Sequence, residues 1–219
     1  PEGADHTVVS LFAGCGGMDL GFLGGFRFLG REFSKLPFRV VDAIDNNDDA
    51  VAAYRLNIAD HARVGDLTEI DPSSLPRADV LLGGFPCQDF SSCGPKAGLQ
   101  GRRGRLYRVL LDYMAHHKPT LVIGENVPHL ARLNNGKHLE TILDEFESVG
   151  YRFDVWELYG PDYGLPQSRR RLFLVGVRDD VTGHPVRPKQ SNTVAYVPID
   201  QALHDLEDIT DESVTNQSQ

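Results

Sequence analysis

Apolar and polar positions along the chain follow two different periods. Short apolar runs such as VVSLF, VVDAI and ADVLL recur and stop at Gly, Asp or Glu, which is typical of strands buried on both faces. Between several of these runs lie segments with the spacing of an amphipathic helix. The pattern predicts strands over residues 7–14, 38–45, 62–67, 78–84 and 120–127, and helices over 18–26, 48–57, 106–117 and 138–150.

Two further β-like runs, at residues 152–159 and 171–178, have no helix between them, so we expect them to form an antiparallel pair. Strands that alternate with helices predict an α/β fold with a doubly wound, mostly parallel Rossmann-like sheet and an antiparallel strand near the C-terminal end. The pattern fades from about Asp179 onward. We therefore expect one domain over residues 1–180 and an acidic tail over residues 181–219.

Residues capable of binding or chemistry follow the predicted strands at the point where each strand ends. They are Gly14–Gly17, Asp45, Asp66, Cys87 and Glu125. In open α/β sheets, ligands bind beyond the carboxyl ends of the strands. The sequence therefore predicts a functional site at this edge of the sheet.

The stretch FAGCGG at residues 12–17 predicts a nucleoside site without a phosphate. It departs from G-x-G-x-x-G because Asp19 stands at the third glycine position, so a pyrophosphate is not favoured. Backbone N–H groups at such a turn still favour an anion such as a carboxylate. Asp45 is placed to accept ribose hydroxyls, and Asp66 with Leu67 to hold an adenine edge. These features predict S-adenosylmethionine, although Asp45 taken alone also fits the N-cap of helix 48–57.

Cys87 lies in a tight turn, GGFPCQDF, directly after a buried strand. A cysteine thiolate is a strong nucleophile, and Pro86 fixes the backbone before it. A small buried residue at a strand end is the alternative, which we prefer for Cys15 and Cys93 because both lie in Gly/Ser-rich turns. For Cys87 we predict a catalytic role.

The composition argues against a membrane protein and against a secreted disulfide scaffold. No run of 18 apolar residues occurs in the 219-residue chain, so no membrane partner is expected. Three cysteines without framework spacing argue against a secreted disulfide scaffold, so we expect a cytoplasmic protein, associated with the nucleoid if its source is prokaryotic.

The net charge is −9, but residues 191–219 contribute six acidic and no basic residues. Basic clusters at 101–108 and 167–172 are either solvated arginines or a phosphate-binding patch.

The stretches FAGCGGMDLG, VVDAID, VGDL, GGFPCQDFS, RGRLY, ENV and QSRRR, taken in order, resemble the DNA cytosine-5 methyltransferases. The resemblance extends from residue 8 to about residue 178. It implies methyl transfer from S-adenosylmethionine to C5 of cytosine in double-stranded DNA, the reaction of restriction–modification methyltransferases. Residues 1–180 would then be the cofactor-dependent catalytic domain.

The resemblance also implies individual roles. Cys87 would attack cytosine C6 to form a covalent intermediate, on a base flipped out of the duplex, and the loop 88–104 would close over that base. The implied catalytic residues are Cys87, Glu125, Arg169 and Arg171, with no metal. The implied cofactor contacts are Phe12, Gly14, Gly16, Gly17, Asp45, Asp66, Leu67 and Leu106. The implied substrate contacts are Phe85, Pro86, Gln88, Asn126 and Gln167. The family usually has Glu in place of Asp45 and a larger apolar residue in place of Asn46.

The family continues after residue 178 with a target-recognition region and a final cofactor motif, neither of which is found in this sequence. We therefore expect a complementary polypeptide, or a C-terminal half, that carries the target-recognition region. A tRNA cytosine-5 methyltransferase and a non-catalytic regulatory paralogue are the alternatives. A zinc cytidine deaminase is excluded because Cys87 is followed by Gln88, Asp89 and Phe90 rather than by the second cysteine of P-C-x-x-C.

Overall fold

The computed structural model of the protein describes residues 5–86, 106–190 and 196–203. Helices and strands alternate through most of this part of the chain. The strands are β1 His6–Leu11, β2 Phe26–Phe28, β3 Arg31–Phe33, β4 Phe38–Asp45, β5 Arg63–Val64, β6 Val80–Gly83, β7 Leu121–Asn126, β8 Tyr151–Tyr159 and β9 Arg170–Arg178, and the helices are α1 Gly17–Leu23, α2 Asp48–Asn57, α3 Tyr107–His117, α4 Lys137–Ser148 and α5 Ile199–Leu203.

Seven of the strands form one sheet in the order β5-β4-β1-β6-β7-β9-β8. The pairs from β5 to β7 are parallel, whereas β9 pairs antiparallel with both β7 and β8. The sequence-based prediction of a doubly wound, mostly parallel sheet with an antiparallel end is therefore confirmed. Parallel pairing requires a crossover between strands, and helices provide most of these crossovers.

Helices cover both faces of this sheet, and each face has its own apolar core. On one face α3 and α4 pack over the sheet, and on the other α1 and α2 do so. Fully buried side chains on the first face include Leu81, Leu110, Met114, Val122, Ile142 and Phe146, and those on the second include Val8, Ala43, Leu82 and Tyr54. Burial on both faces explains why the strands are continuous apolar runs rather than alternating ones.

The predicted helix over residues 18–26 is too long. Helix α1 ends at Leu23 because Gly24 takes a φ of 60°, a left-handed backbone conformation that glycine adopts at little cost. A two-stranded hairpin, β2–β3, follows in place of the last helical residues, and the rings of Phe26 and Phe33 stack across it at 4.7 Å. The predicted strand over 62–67 is also shorter, since only Arg63–Val64 pairs with the sheet edge.

The carboxyl ends of four parallel strands meet at one edge of the sheet. In register, Leu11 of β1 lies between Ile44 of β4 and Gly83 of β6, and Gly83 lies beside Gly124 of β7. Because β9 runs antiparallel to β7, it begins at this same edge. The strand reversal therefore brings the basic segment that precedes β9 to the ends of the parallel strands.

Candidate functional site at the carboxyl edge of the sheet

The turn between β1 and α1, residues 12–17, is called the glycine turn below. It opens at Phe12, whose φ of 57° is uncommon for a residue other than glycine. The end of β4 holds the turn from one side: Ala13 N donates to Ile44 O at 3.0 Å, and Gly14 N donates to Asp45 Oδ2 at 2.8 Å. An uncommon backbone conformation persists only where its surroundings fix it, and such positions cluster at ligand-binding sites.

Asp45 connects two segments of backbone. Besides Gly14 N, its carboxylate accepts from Asn47 N at 2.9 Å. The helix N-cap is Asn47 instead, since its side chain accepts from Ala50 N at 2.8 Å. The interpretation of Asp45 as the cap of α2 is therefore wrong. Its carboxylate instead connects the end of β4 to the glycine turn by a hydrogen bond.

A cavity of about 330 Å³ opens beside the glycine turn, and we call it the first cavity. Both apolar and polar residues line it, and one of the polar ones, Asp66, accepts from Thr68 N at 2.8 Å and from Thr68 Oγ1 at 2.7 Å. This carboxylate is therefore oriented by the turn that contains it. The described residues that line the cavity are Phe12, Asn46, Gly65, Asp66, Leu67, Thr68, Pro86 and Leu106.

A second cavity has a volume of about 740 Å³, and Phe12 lines both cavities. It joins the glycine turn to the ends of β7, β8 and β9. Among its described lining residues are Gly14, Cys15, Gly17, Met18, Glu125, Tyr163, Gln167, Arg169 and Arg171. Residues that are far apart in the sequence thus face one space.

Glu125 and Arg171 form the charged centre of the second cavity. Arg171 Nε lies 2.6 Å from Glu125 Oε1, and the two side chains are 24% and 28% exposed. Arg171 also donates from Nη1 to Arg170 O at 2.8 Å, which fixes the guanidinium. The other carboxylate oxygen, Oε2, faces Gly84, where an added Cβ would lie 3.6 Å from it. The carboxylate is therefore held at a defined position in the cavity while one of its oxygens is engaged by arginine.

Asn126 ties the ends of β6 and β7 together. Its side chain is buried, Nδ2 donates to Phe85 O at 2.9 Å, and Oδ1 accepts from Val127 N at 2.9 Å. Phe85 is buried as well, and Pro86 lines the first cavity. The chain is therefore fixed up to Pro86. The next residues, Cys87 and Gln88, lie outside the described residues, as do Cys93 and the loop 88–104.

The walls of these two cavities, as far as the described residues form them, include neither Gly16 nor Asp45. A Cβ added to Gly16 would lie 2.2 Å from Ile58 Cδ1 and 2.6 Å from Tyr54 Cδ2. Gly16 therefore packs against α2 at the back of the glycine turn. The role of both residues as direct cofactor contacts remains a prediction.

Several residues of the site escaped the sequence analysis. Cys15, interpreted there as a packing residue, is exposed and lines the second cavity, as does Met18. Thr68 lines the first cavity, as does Asn46, the position at which the family usually has a larger apolar residue. Asp19 is fully buried beneath the turn, and an acidic residue within a mostly apolar seven-residue helix was the available signal for it.

The described ranges contain neither a metal-binding cluster nor a membrane-spanning helix. No group of three or more His, Cys, Asp or Glu side chains is arranged to hold a metal ion within those ranges. Within the same ranges, the helices are all too short or too polar to cross a bilayer.

Comparison with known proteins gives one family. A model of the C-5 cytosine-specific DNA methylase family matches residues 6–219. The type II methyltransferase M.NgoFVII of Neisseria gonorrhoeae is 38% identical over 209 residues, which are 91% of this chain and 53% of that protein. The type II methyltransferase M1.ScrFI of Lactococcus lactis subsp. cremoris is 34% identical over 173 residues, which are 79% of this chain and 42% of that protein. The chain thus spans about half the length of these curated relatives.

Solved structures show the same fold. A DNA modification methyltransferase encoded within an E. coli prophage superposes with a TM-score of 0.70 at 24% identity, covering 94% of this chain and 57% of that one. The Dnmt2 methyltransferase of S. pombe gives a TM-score of 0.62 at 21% identity, covering 82% of this chain and 52% of that one. At these identities the likeness establishes the architecture and nothing finer.

Proposed function

The chain belongs to the C-5 cytosine-specific DNA methylase family, and from this premise we propose that it transfers a methyl group from S-adenosylmethionine to C5 of cytosine in DNA. The observation that carries the proposal is the meeting, at one sheet edge, of a nucleoside-sized cavity and the Glu125–Arg171 pair. Phe12 lines both cavities, so a ligand in the first lies next to groups in the second.

The residues of the first cavity fit a nucleoside. Phe12, Leu67 and Leu106 offer apolar surface to a flat base, while Asp66 and Asn46 offer polar groups to a ribose or a base edge. When bound, S-adenosylmethionine supplies an activated methyl group.

The glycine turn fits the carboxylate end of such a ligand. Cβ atoms added to Gly14 or Gly17 would meet nothing within 4 Å, so open space lies beside both residues. Backbone N–H groups at the start of a helix favour an anion there. Gly14 N is already engaged by Asp45 and Gly16 N by Ala13 O, so the N–H groups of Cys15 and Gly17 are the candidates for this contact.

The chemistry then follows from the residue types. The Cys87 thiolate forms a bond to C6 of the flipped cytosine, and the ring electrons move so that C5 becomes nucleophilic and ready to accept a methyl group. Glu125 binds N3 and holds a proton there, which offsets the negative charge that develops on the ring. Arg171 orients Glu125 through the 2.6 Å contact. C5 then bonds the methyl carbon as the sulfonium C–S bond breaks, which leaves the cofactor as a neutral thioether. Loss of the C5 proton to a base lets the S–C6 bond break and releases the thiolate.

Trapping of the covalent intermediate tests this function. DNA with 5-fluorocytosine at the target cannot lose its C5 substituent, so the Cys87–C6 adduct should accumulate and survive denaturing electrophoresis. Cys87→Ser should abolish the adduct, whereas Cys93→Ser, a change to the neighbouring cysteine, should retain it. Trapping by Cys87→Ser at the wild-type level would contradict the assignment.

DNA rather than tRNA is the substrate that the relatives favour. The family description specifies DNA, and the relatives at 38% and 34% identity are type II methyltransferases. Methyl transfer to duplex DNA should therefore exceed transfer to tRNA when the two are compared under the same conditions. The reverse result would support the tRNA alternative.

A complementary region completes the enzyme in this proposal. The matched relatives are about twice as long as their aligned part, and phosphate contacts alone do not choose a DNA site. We assign site choice to a region beyond this match, on the same polypeptide or a second one. The adduct assay can be run on residues 1–219 with and without that region, and equal yield and site preference in both would contradict this part of the proposal.

A further inference from the structure

A buried hydrogen-bond network lies behind the glycine turn. Ser10 at the end of β1, Asp19 in α1 and Tyr54 in α2 are all fully buried. Ser10 Oγ donates to Asp19 Oδ2 at 2.8 Å, and the Tyr54 hydroxyl donates to Asp19 Oδ1 at 3.1 Å. Three elements that converge at the turn are thereby joined through one carboxylate.

His61 extends the network toward solvent. Its Nε2 lies 3.3 Å from the Tyr54 hydroxyl, and the two rings meet edge to face with centroids 5.6 Å apart. Since the hydroxyl donates to Asp19, its oxygen is left to accept from His61 Nε2–H. Each carboxylate oxygen and the tyrosine hydroxyl therefore has a partner, as a buried polar network requires.

The Tyr54 ring lies directly against the glycine turn. A Cβ on Gly16 would stand 2.6 Å from Tyr54 Cδ2 and 2.7 Å from Tyr54 Cε2, which is closer than real Cβ contacts come. Gly16 also has a φ of 83°. The ring thus occupies the space that a side chain at this position would need, and it supports the turn from behind.

The front of the same turn faces the second cavity. Cys15 and Gly17, the neighbours of Gly16, both line that cavity. A shift of the Tyr54 ring would therefore move the backbone that forms the cavity wall. Because a hydroxyl held by two partners fixes where a tyrosine ring lies, the network controls the position of this wall.

We propose that Tyr54 is a positioning residue for the cofactor, whose hydroxyl, held by Asp19 and His61, keeps the ring against Gly16 and so fixes the backbone of the glycine turn. This inference rests on the proposed use of S-adenosylmethionine. Tyr54 itself does not touch the ligand and acts through the turn.

Tyr54→Phe tests the inference, because it removes the hydroxyl and keeps the ring. Tyr113→Phe is the matched control: Tyr113 is also fully buried, and its hydroxyl donates to Pro76 O at 2.7 Å beneath a different helix, α3. Tyr54→Phe loses two hydrogen bonds and Tyr113→Phe loses one, so both variants should lose stability, and Tyr54→Phe should lose more. The dissociation constant for S-adenosylmethionine, measured by calorimetry on the purified protein, should rise roughly 2- to 10-fold in Tyr54→Phe and stay unchanged in Tyr113→Phe.

Steady-state kinetics give a second measure. In Tyr54→Phe the KM for S-adenosylmethionine should rise while kcat and the KM for DNA stay near the wild-type values, a split that a general loss of stability does not produce. His61→Leu, a change at a half-buried position, should shift the cofactor KM in the same direction, and His61→Gln, which can still donate to Tyr54, should shift it less.

The outcomes are distinguishable. If the wild-type protein, assayed together with the complementary region, binds no S-adenosylmethionine, the proposed cofactor is wrong and this inference falls with it. If the wild type binds and both tyrosine variants bind equally well, the positioning role alone is overturned. If Tyr54→Phe does not fold, unchanged cofactor binding by His61→Leu overturns the inference.

Discussion

The glycine turn and the Glu125–Arg171 pair share one sheet edge, but they are held in place by different means. At the turn, backbone N–H groups and buried side chains form the contacts: Asp45 accepts from Gly14, and Asp19 accepts from Ser10 and Tyr54. At the pair, two charged side chains, each about a quarter exposed, hold one another at 2.6 Å. Buried groups therefore anchor the turn from behind, although its Cys15 and Gly17 are exposed, whereas the pair is held by contact between two partly exposed charges.

This difference indicates how the two regions serve the proposed reaction. A turn that buried groups anchor is preorganised before any ligand arrives, which lowers the cost of binding the cofactor. A carboxylate held by a partly exposed arginine can exchange contacts when a base enters the cavity. Changes at the turn should therefore affect stability and cofactor affinity, and changes at the pair should affect the rate of methyl transfer.

The largest expected effect is at the pair. Glu125→Gln keeps the size of the side chain but removes its charge and, with it, the role proposed for Glu125 of holding a proton at N3. We expect kcat to fall by about 10²- to 10³-fold, as for the loss of one group that stabilises transition-state charge, with cofactor affinity unchanged. Single-turnover transfer of a tritiated methyl group and calorimetry measure the two quantities.

Glu145→Gln is the matched control for that variant. Glu145 of α4 is 27% exposed and pairs with Arg108 at 2.7 Å, so it loses a comparable ion pair away from the two cavities. Its kcat should remain at the wild-type level. An equal loss of rate in both variants would mean that the Glu125 effect reflects ion-pair loss rather than chemistry.

The next largest effect is a difference in stability between alanine substitutions at Gly16, which packs against α2, and at Gly17, which lines the second cavity. In Gly16→Ala the new methyl group overlaps Tyr54 and Ile58 at a φ of 83°, so we expect a loss of more than about 2 kcal/mol of unfolding free energy. In Gly17→Ala the methyl group meets nothing within 4 Å at the first position of α1, so stability should be unchanged or higher by up to about 1 kcal/mol.

Urea unfolding of both glycine variants measures this difference, and cofactor titration completes the comparison. Gly17→Ala should bind S-adenosylmethionine more weakly despite its intact fold, since Gly17 lines the second cavity. Equal stability of the two variants would show that Tyr54 does not press against Gly16 as the structure has it.

The smallest expected effect is a pH dependence from Asp19. Burial raises the pKa of this carboxyl above its ordinary value of 3.8, against the opposing hydrogen bonds from Ser10 and Tyr54. The folded state therefore holds the proton more tightly than the unfolded state. Its contribution to stability is fully present below about pH 3.8 and is lost as pH rises through the raised pKa, with a slope of at most about 1.4 kcal/mol per pH unit.

Asp19→Asn should remove this slope, so the stability difference between wild type and variant should shrink as pH rises above 3.8. Asp79→Asn should show the opposite sign, because a hydrogen bond from the backbone N–H of Thr7 lowers the pKa of Asp79, and that stabilisation is lost as pH falls. Urea unfolding at a series of pH values measures both. Parallel curves for Asp19→Asn and wild type would contradict the burial effect.

The sequence by itself determined the architecture and the edge at which the site lies. Continuous apolar runs report burial on both faces of a sheet, and helical spacing reports a single buried face, so the order of elements can be predicted from local pattern. The same pattern puts the motifs at the carboxyl ends of the predicted strands. Parallel strands have these ends at one edge of the sheet, so the motifs were expected to lie together. The hairpin β2–β3 was missed because two three-residue strands are too short to show a period.

Tertiary structure alone decided how the site residues are used. Asp45 and Asn47 both suit a helix cap by residue type, and the nearness of Gly14 to Asp45 decides that Asn47 is the cap. The family resemblance implies a cofactor contact for Gly16, which stays a prediction, and only the structure shows that Gly16 also packs against Tyr54 and Ile58. Periodicity reports how deeply a residue is buried. It does not report which donor meets which acceptor, because that depends on contacts between segments far apart in the chain.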